Sequence, residues 1–296
     1  MFYKESSVLF PLLVIIGIVL GLLFIFKKVK PLNFSKKSQD RFIIILCYGG
    51  IAFYLGARFF DDLFNYIKGE GWGNGGITFL AGCLCALVIF VVLFFFFLKD
   101  ERKHIFKVFN IVAMGIILGH AVGRLGCFSA GCCYGKVTES FIGVNFPGDG
   151  YKYEGNGIYT VYGSDAYKHL FNEYLDTSLS YQEGLAKHDN SLIAKALVSA
   201  NYYARTTKVI PTQLIESLFL ILLFVILLKV NKLQFPIYLI SYSVYRFFAE
   251  YLRFDNRGAT TLGISPSQLM SIVGVLAGIG VLITYIYFNK KKQIEI

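Results

Sequence analysis

The chain has 296 residues, of which 55% are apolar, and it includes 29 Phe and 20 Tyr. A mean hydropathy of +0.57 is too high for an ordinary soluble domain, and the longest apolar runs are long enough to cross a bilayer. The net charge of +10 does not indicate a nucleic-acid-binding protein, because the basic residues alternate with apolar runs and form no single basic face. These properties predict an integral membrane protein.

Seven apolar runs predict seven transmembrane helices, so the predicted fold class is an all-α membrane protein. The runs cover residues 8–26, 42–60, 76–98, 108–128, 212–228, 236–253 and 268–288. The first run is too long for the core of a signal peptide, and Lys27 and Lys28 follow it in place of small residues. We therefore expect this run to be retained in the protein.

Basic residues set the predicted orientation, because short loops rich in Lys and Arg face the cytoplasm. Such segments follow the first, third, fifth and seventh runs, so the N-terminus is predicted outside and the C-terminus inside. This orientation brings eight charged residues to the outer ends of their spans: Arg58, Asp61, Asp62, Arg124, Glu216, Arg246, Glu250 and Arg253. Their common depth predicts a functional site, and the alternative is a set of unrelated helix-end anchors that extend to water.

The end of the fourth span reads GIILGHAVGRLGCFSAGCCYGK from Gly115 to Lys136. His120, Arg124 and Cys127 lie about one turn apart and share one face of the predicted helix. Burying a guanidinium near hydrocarbon is costly, so Arg124 is a candidate site residue. The alternative is an interfacial anchor whose charge extends to water.

Three glycines recur every four residues in the same helix, at Gly115, Gly119 and Gly123. Small residues at this spacing allow the backbones of two membrane helices to approach closely. The glycines therefore predict a helix-packing face.

The six cysteines form two groups. Three lie within apolar runs and are expected to be small core residues: Cys47, Cys83 and Cys85. Three lie where the fourth span meets water: Cys127, Cys132 and Cys133. The spacing of the second group matches no paired Cys-x-x-Cys zinc motif, so we expect thiols or a strained disulfide, with a metal site that includes His120 as the less favoured alternative.

Residues 136–210 contain no membrane-length apolar run and predict a small extracytoplasmic head of mixed secondary structure between spans four and five. The chain is thus divided into residues 1–135 with four spans, the head at 136–210, and residues 211–296 with three spans. Within the head, strands are predicted near 141–146 and 157–162, and helices near 165–176 and 191–203.

The sixth span carries a polar stripe, because Tyr242, Arg246, Glu250 and Arg253 are spaced by four, four and three residues. Arg246 and Glu250 can pair, which lowers the cost of burial and leaves Arg253 to contact an anion. The alternative is a structural ion pair to a neighbouring helix. Several arginines at headgroup depth suit a lipid phosphate, because the planar guanidinium makes bidentate contacts with phosphate oxygens and can stabilise charge on a phosphate leaving group.

Motifs of several other enzyme classes are absent from the sequence. It contains no Gly-x-Ser-x-Gly, His-Glu-x-x-His, phosphate-loop or dinucleotide fingerprint. A lipase, a zinc protease and a nucleotide-driven pump are therefore disfavoured.

Six segments resemble the prolipoprotein diacylglyceryl transferase family. They are, in order, GARFF, GGITFLAG, GHAVGRLGCFSAGCCYG, GVNFP, IPTQLIE and YRFFAEYLRFD. The resemblance covers most of the chain and is weakest in the head and the first span. It implies transfer of diacylglycerol from phosphatidylglycerol to the lipobox cysteine thiol of a lipoprotein precursor at the bacterial inner membrane, with release of glycerol phosphate and without a metal or organic cofactor.

The resemblance also assigns candidate site residues by motif match. The catalytic candidates are Arg124, Arg246, Glu250 and Arg253, to which we add His120. Arg58, Gln213 and Glu216 also fall on matching positions and are candidates for substrate binding, to which we add Cys127, Cys132 and Tyr242. The implied partners are phosphatidylglycerol, the precursor peptide and the membrane, with no nucleic acid and no metal.

The chain departs from the family pattern where the thiol would be activated. The family's Gly-Asn-Phe-x-Asn-Gly-Glu reads Gly-Cys-Phe-Ser-Ala-Gly-Cys at 126–132, so that Cys127 and Cys132 replace the first Asn and the Glu. Leu80 and Ile210 stand where the family commonly has His.

A peptide thiol has a pKa of about 8.5 and needs a base or a cationic field to become a nucleophile. In this chain His120, Glu250 or Asp62 would have to serve as the base, or the arginines would lower the pKa of the thiol.

Two other functions are compatible with the sequence. One is a non-enzymatic membrane protein that keeps the same scaffold, such as a redox or metal module built on the second cysteine group. The other, weaker alternative is an anion conductor.

Overall fold

The computed structural model describes residues 2–67, 69, 71–73, 78–155, 158–230, 232–254 and 263–294. In this part of the chain the helices are α1 (Phe2–Val29), α2 (Lys36–Ile67), α3 (Phe79–Phe97), α4 (Ile105–Ala130), α5 (Asp165–Asp176), α6 (Leu179–Ala186), α7 (Asn190–Thr206), α8 (Thr212–Leu228), α9 (Gln234–Ala249) and α10 (Pro266–Ile294). The strands are β1 (Gly148–Gly155) and β2 (Ile158–Gly163), and short 3₁₀ turns lie at Lys30–Leu32, Lys99–His104 and Glu250–Leu252.

Five helical segments are long and apolar enough to cross a membrane: Val8–Leu32, Lys36–Ile67, Phe79–Phe97, Lys99–Ala130 and Pro266–Tyr287. They confirm a mainly helical membrane protein and five of the predicted spans. The other two predicted spans are the helices α8 and α9, which have 17 and 16 residues. At 1.5 Å per residue these helices are about 25 Å long, shorter than the hydrocarbon core, so the count of seven spans and the orientation remain predictions. Residues 76 and 77 of the third predicted span lie outside the described residues.

The chain divides into two compact units, each assembled from segments that are distant in sequence. Unit one comprises Met1–Val19, Gly119–Phe219 and Leu252–Asp255. Unit two comprises Leu20–Leu118, Leu220–Tyr251 and Asn256–Ile296. The predicted head lies entirely within unit one.

The head is built from the β1–β2 hairpin and the helices α5, α6 and α7. The strands are antiparallel, with Tyr151 opposite Val161, and α5 begins after Ser164, whose hydroxyl accepts a hydrogen bond from the Tyr167 backbone. Tyr167 is fully buried, and its ring lies against Gly148 and Gly163. The core of the head is therefore rich in aromatic residues.

Most predicted elements of the head are confirmed, with one error and one omission. The helices predicted near 165–176 and 191–203 correspond to α5 and α7, and the strand near 157–162 corresponds to β2, although residue 157 lies outside the described residues. The strand predicted at 141–146 is wrong, because a turn from Ser140 to Gly143 interrupts it and only Val144 forms an isolated bridge. The short helix α6 was not predicted.

The cysteines predicted to be core residues are less buried than expected. Cys47 is exposed on α2, so this prediction is wrong for Cys47, while Cys83 and Cys85 are half-buried. The Cys85 side chain lies against Gly56, where a Cβ atom would collide with it. All six cysteines are free thiols, which excludes the strained disulfide in this structure.

The predicted glycine face packs against α1 at two of its three positions. A Cβ atom on Gly119 would lie 2.9 Å from the Gly17 carbonyl oxygen, and one on Gly115 would lie 2.8 Å from the Gly21 carbonyl oxygen. Gly123 has no atom within 4 Å of its Cβ position, so the packing prediction is wrong for Gly123. The contact with α1 continues beyond it at Gly126, where a Cβ atom would lie 3.2 Å from the Phe10 carbonyl oxygen, so Gly123 lies beside the contact face.

We expect Gly119→Ala to destabilise the protein and Gly123→Ala to leave its stability unchanged or slightly higher. The first change forces a methyl group against a backbone carbonyl, and overpacking of this kind costs about 1–3 kcal/mol. The second adds a methyl group in open space and replaces Gly by a better helix former. Thermal unfolding in detergent measures both, and equal midpoints for the two variants would contradict the packing described here.

Candidate functional site

A buried charged cluster lies within unit one, between α4 and the start of α8. The Arg124 Nη2 atom lies 2.9 Å from Glu216 Oε1, and His120 Nε2 lies 3.5 Å from the same oxygen. The exposed fractions of the three side chains are 11% for Arg124, 7% for His120 and 5% for Glu216. The predicted shared face of His120 and Arg124 is thus confirmed, and a carboxylate from α8 holds both.

The second cysteine group comes together at the C-terminus of α4. Gly131 has a φ of 66°, and the Cys132 and Gly131 amides donate to the carbonyls of Cys127 and Phe128 at 3.2 and 3.0 Å. This is the Schellman pattern, in which a left-handed glycine ends a helix and turns the chain back over its last turn. The turn therefore returns Cys132 to the level of Cys127.

We name the resulting group Cys127, Cys132 and Cys133 the thiol cluster. The three sulfur atoms all lie within 4.8 Å of one another, and the Cys132 thiol donates to the Cys127 carbonyl at 3.6 Å. Cys133 has a φ of 61°, an uncommon conformation for a residue with a side chain, which is often found at functional sites. The less favoured metal interpretation included His120, but within the described residues no His, Asp or Glu belongs to this group.

Side chains at the start of α8 hold the backbone of the thiol cluster. The Thr212 hydroxyl donates to the Cys133 carbonyl at 2.6 Å, and the Gln213 amide nitrogen donates to the Cys132 carbonyl. Gln213 is only 1% exposed, and its amide oxygen has no hydrogen-bond partner among the described residues. Gln213 therefore positions the cluster with one end and presents an acceptor with the other.

Arg253 joins the same unit through its backbone. Gly135 and Arg253 form an isolated antiparallel bridge, and the Lys136 amide donates to the Leu252 carbonyl at 2.9 Å. The close approach requires glycine, because a Cβ atom on Gly135 would lie 2.6 Å from that carbonyl oxygen. The Arg253 side chain is buried, with 6% exposed.

The environment of Cys133, which follows α4 outside the membrane-spanning segment, favours its thiolate. Hydrogen bonds from the thiols of Cys127 and Cys132 lower the pKa of Cys133, and the positive charges of Arg253 and Arg124 lower it further against the opposing effect of burial. The pKa of Cys132 is raised, because its thiol is engaged with Cys127 and Cys133. Two guanidinium groups therefore act on the thiol cluster.

The polar stripe predicted on the sixth span needs one correction. Helix α9 ends at Ala249 and is followed by a 3₁₀ turn at Glu250–Leu252, so Arg253 does not continue the helical face of Tyr242 and Arg246. At this point the backbone of Arg253 pairs with that of Gly135 instead of continuing the hydrogen bonds of α9. Arg253 therefore belongs to unit one, whereas the other three members belong to unit two.

Unit two holds the remaining charged candidates. The Arg246 Nη2 atom lies 2.9 Å from Glu250 Oε2, and both side chains are less than a tenth exposed, which confirms the predicted pair. Arg58 Nε lies 3.6 Å from Asp62 Oδ2, and the Arg58 guanidinium also donates to the Gly73 carbonyl at 3.2 Å. The Arg58 side chain is also 41% exposed, so the alternative of a helix-end anchor that extends to water still fits this residue.

Tyr242 lies in an aromatic stack on α9. Its ring is 5.9 Å from the Tyr238 ring and 6.5 Å from the Tyr245 ring, and Phe79 of α3 meets it edge-on at 6.1 Å. Tyr242 is 2% exposed. Its placement is that of a packed core residue, and a role in substrate binding remains a prediction.

A separate apolar groove of about 250 Å³ lies between α9 and α10. Its lining includes Ser243, Phe247, Phe248 and Leu276. None of the predicted site residues contributes to the lining of this groove. It is therefore distinct from the charged clusters of either unit.

Sequence reasoning missed three residues that build the site in unit one. Thr212 and Gly135 carry no charge, and they are recognised only through the backbone atoms that they contact. Cys133 was noted but not selected, although its place beside Cys132 after a glycine was a usable signal. The convergence of charges from both units at one depth remains a prediction.

Comparison with known proteins relates the chain to one family over most of its length. The sequence pattern described as prolipoprotein diacylglyceryl transferase matches residues 7–284. A phosphatidylglycerol–prolipoprotein diacylglyceryl transferase of Clostridium tetani is 25% identical over 280 residues, covering 90% of this chain and 88% of the relative. The proteins of the same name from Neisseria meningitidis serogroup C and Staphylococcus haemolyticus are 29% and 25% identical, covering 88% and 92% of this chain and 83% and 82% of their own lengths.

Proposed function

Because the chain belongs to the prolipoprotein diacylglyceryl transferase family, we propose that it transfers the diacylglyceryl group of phosphatidylglycerol to the lipobox cysteine of a lipoprotein precursor. It is a multi-pass protein of a bacterial membrane. The observation that carries the proposal is the buried Arg124–Glu216–His120 cluster, at 2.9 and 3.5 Å. Such a cluster is costly to build in a membrane helix and indicates a functional site.

The reaction is a substitution at carbon. The acceptor sulfur attacks the glyceryl carbon that bears the phosphate, the carbon–oxygen bond breaks, and its electron pair leaves on the oxygen of glycerol phosphate. Arg124 and Arg253 of unit one contact the phosphate and stabilise the charge that builds on this oxygen, and Arg246 of unit two is a further catalytic candidate. Guanidinium groups suit this role because they remain charged when water is excluded.

The remaining candidates orient the arginines and the acceptor. Glu216 fixes the Arg124 guanidinium, and Glu250 fixes that of Arg246 at 2.9 Å. His120 shares the Glu216 carboxylate and lies on the same helical face as Arg124, where it can accept the proton of the acceptor thiol. Gln213 presents its amide oxygen to the substrates in unit one, and Arg58 and Tyr242 of unit two are further candidates for substrate binding.

The proposed topology follows from the same function. Helices α8 and α9 join the five longer helices as spans, the N-terminus lies outside, and the head between α4 and α8 lies outside the bacterial inner membrane. This orientation exposes the site to the outer leaflet, where precursor peptides emerge. The basic segments that follow the odd-numbered spans support the orientation.

The decisive experiment incubates the purified protein in vesicles that contain phosphatidylglycerol with a lipobox peptide. We expect the peptide to gain the mass of one diacylglyceryl group, and a peptide with Ser in place of the lipobox Cys to remain unchanged. The Neisseria meningitidis relative in the same vesicles serves as the positive control. If the relative modifies the peptide and this protein does not, the proposed acceptor is wrong.

A further inference from the structure

The thiol cluster is a preformed set of three soft ligands. Cys127, Cys132 and Cys133 come from one helix end and the turn that follows it, and their sulfur atoms lie within 4.8 Å of one another. Three sulfur atoms that bind one zinc ion at about 2.3 Å lie about 3.8 Å from one another in tetrahedral geometry. The observed spacing thus requires only a small contraction around an ion.

Hydrogen bonds hold the backbone of the three cysteines in this arrangement. The Schellman turn at Gly131 fixes Cys132 above Cys127, and Thr212 and Gln213 donate to the carbonyls of Cys133 and Cys132. Metal sites of this kind depend on surrounding hydrogen bonds that orient the ligands. The cluster therefore has both the ligands and the supporting contacts.

A second observation concerns Gln213. Its amide oxygen is buried and has no hydrogen-bond partner among the described residues, while its amide nitrogen is occupied by the cluster backbone. A buried acceptor without a partner is costly. A water molecule bound at the metal, or a backbone amide of the acceptor peptide, would donate a hydrogen bond to this oxygen.

We propose that the thiol cluster binds one zinc ion through three cysteine sulfurs and that its open fourth position takes the acceptor thiol. Zinc sites with three protein ligands and one exchangeable position are typical of catalytic zinc, whereas structural sites use four protein ligands. Within the described residues no fourth His, Asp or Glu joins the cluster. The second part of the inference rests on the proposed function, since it identifies the ligand as the acceptor cysteine.

The charge balance is favourable. Three thiolates and a divalent cation carry one net negative charge, and Arg124 lies one helical turn before Cys127 while Arg253 is bridged to Gly135, two residues after Cys133. The two arginines that are proposed to contact the phosphate therefore also compensate the negative charge of the zinc site. Soft thiolate donors select zinc or monovalent copper over harder cations.

A bound zinc ion would activate the acceptor thiol, a role that has no assigned residue where this chain departs from the family pattern. A thiol that coordinates zinc is deprotonated, and its proton passes to a nearby base such as His120 or to water. The bound sulfur then attacks the glyceryl carbon, the carbon–oxygen bond breaks, and glycerol phosphate leaves with the electron pair. The product is a neutral thioether, a weaker ligand that leaves the zinc ion, so no oxidant or reductant is needed.

The first test measures metal binding without reference to activity. We expect the purified full-length protein to retain one zinc ion per molecule, and Cys132→Ser and the triple change of the cluster cysteines to Ser to abolish retention. Cys47→Ser is the matched control, because Cys47 is an exposed thiol of α2. Absence of zinc binding in the wild type, a disulfide within the cluster, or binding of monovalent copper with rejection of zinc would each overturn the inference.

The second test asks whether the acceptor occupies the fourth position. In the cobalt-substituted protein, the intensity of the thiolate-to-metal absorption should rise by about one third when a lipobox peptide adds a fourth sulfur to three. The Ser peptide should not produce this change. An unchanged spectrum with the Cys peptide overturns the proposed role of the fourth position.

The two proposals fail in different ways. If zinc and peptide bind as described but no diacylglyceryl group is transferred, the further inference holds and the proposed reaction is wrong. If the zinc-depleted protein transfers the group at the full rate, the proposed binding of the acceptor thiol at zinc is wrong and the proposed function holds.

Discussion

Arg124→Lys is expected to lower the rate of diacylglyceryl transfer by about 10²–10³-fold, which is typical for the loss of one group that stabilises charge in a transition state. Lysine keeps the positive charge but loses the planar fork that can contact Glu216 and a phosphate at once. The Arg124 guanidinium already lies 2.9 Å from Glu216. A lysine ammonium would pair with this carboxylate and would make a weaker contact with the substrate phosphate.

The measurement is the initial rate of peptide modification at saturating phosphatidylglycerol, compared with that of Arg102→Lys. Arg102 is a suitable control because its exposed side chain contacts only the Phe95 carbonyl and ring among the contacts described. Turnover should fall in the first variant and remain at the wild-type rate in the second. Equal rates for Arg124→Lys and the wild type would remove Arg124 from the chemistry.

Hydropathy predicted the helices well because burial in lipid demands helices of a minimum length. All seven apolar runs are helical over most of their length, and the α5 bounds agree with the predicted range. The same reasoning failed at Arg253, since helical spacing assumes that the helix continues. Whether it continues depends on backbone contacts with Gly135, a residue about 120 positions away in sequence.

The charged site was partly predictable for a related reason. Spacing by four residues on one helix predicted the Arg246–Glu250 pair, and the shared face predicted that His120 and Arg124 lie together. Glu216 was selected, but its partners could not be identified, because they lie on another helix. Pairing between distant elements is decided by packing that local periodicity does not contain.

The cysteines illustrate the limit of motif reasoning. Their spacing matches no established zinc pattern, and on this ground a metal site was disfavoured. The left-handed turn at Gly131 shortens the distance between Cys127 and Cys132 in a way that counting residues does not capture. A glycine directly before paired cysteines at a helix end was the signal available in the sequence.

Gly135→Ala is expected to lower the transfer rate by about 10²-fold, because a displacement of catalytic groups by about 1 Å can have this effect. The added methyl group would lie 2.6 Å from the Leu252 carbonyl oxygen and 2.8 Å from the Ile210 Cβ atom. These neighbours are backbone or rigid side-chain atoms, so the strand-like segments must separate. Arg253 would then move away from the thiol cluster, although its side chain is unchanged.

Gly50→Ala is the matched control, since no atom lies within 4 Å of its Cβ position on α2. Transfer rates should be compared together with thermal unfolding in detergent, because a displaced Arg253 lowers turnover in protein that is still folded. A Gly135→Ala, Arg253→Lys double variant should be hardly less active than Gly135→Ala alone if the glycine acts by positioning Arg253. Fully additive losses would mean that Gly135 acts elsewhere, and full activity of Gly135→Ala would mean that the bridge to Arg253 does not position a catalytic group.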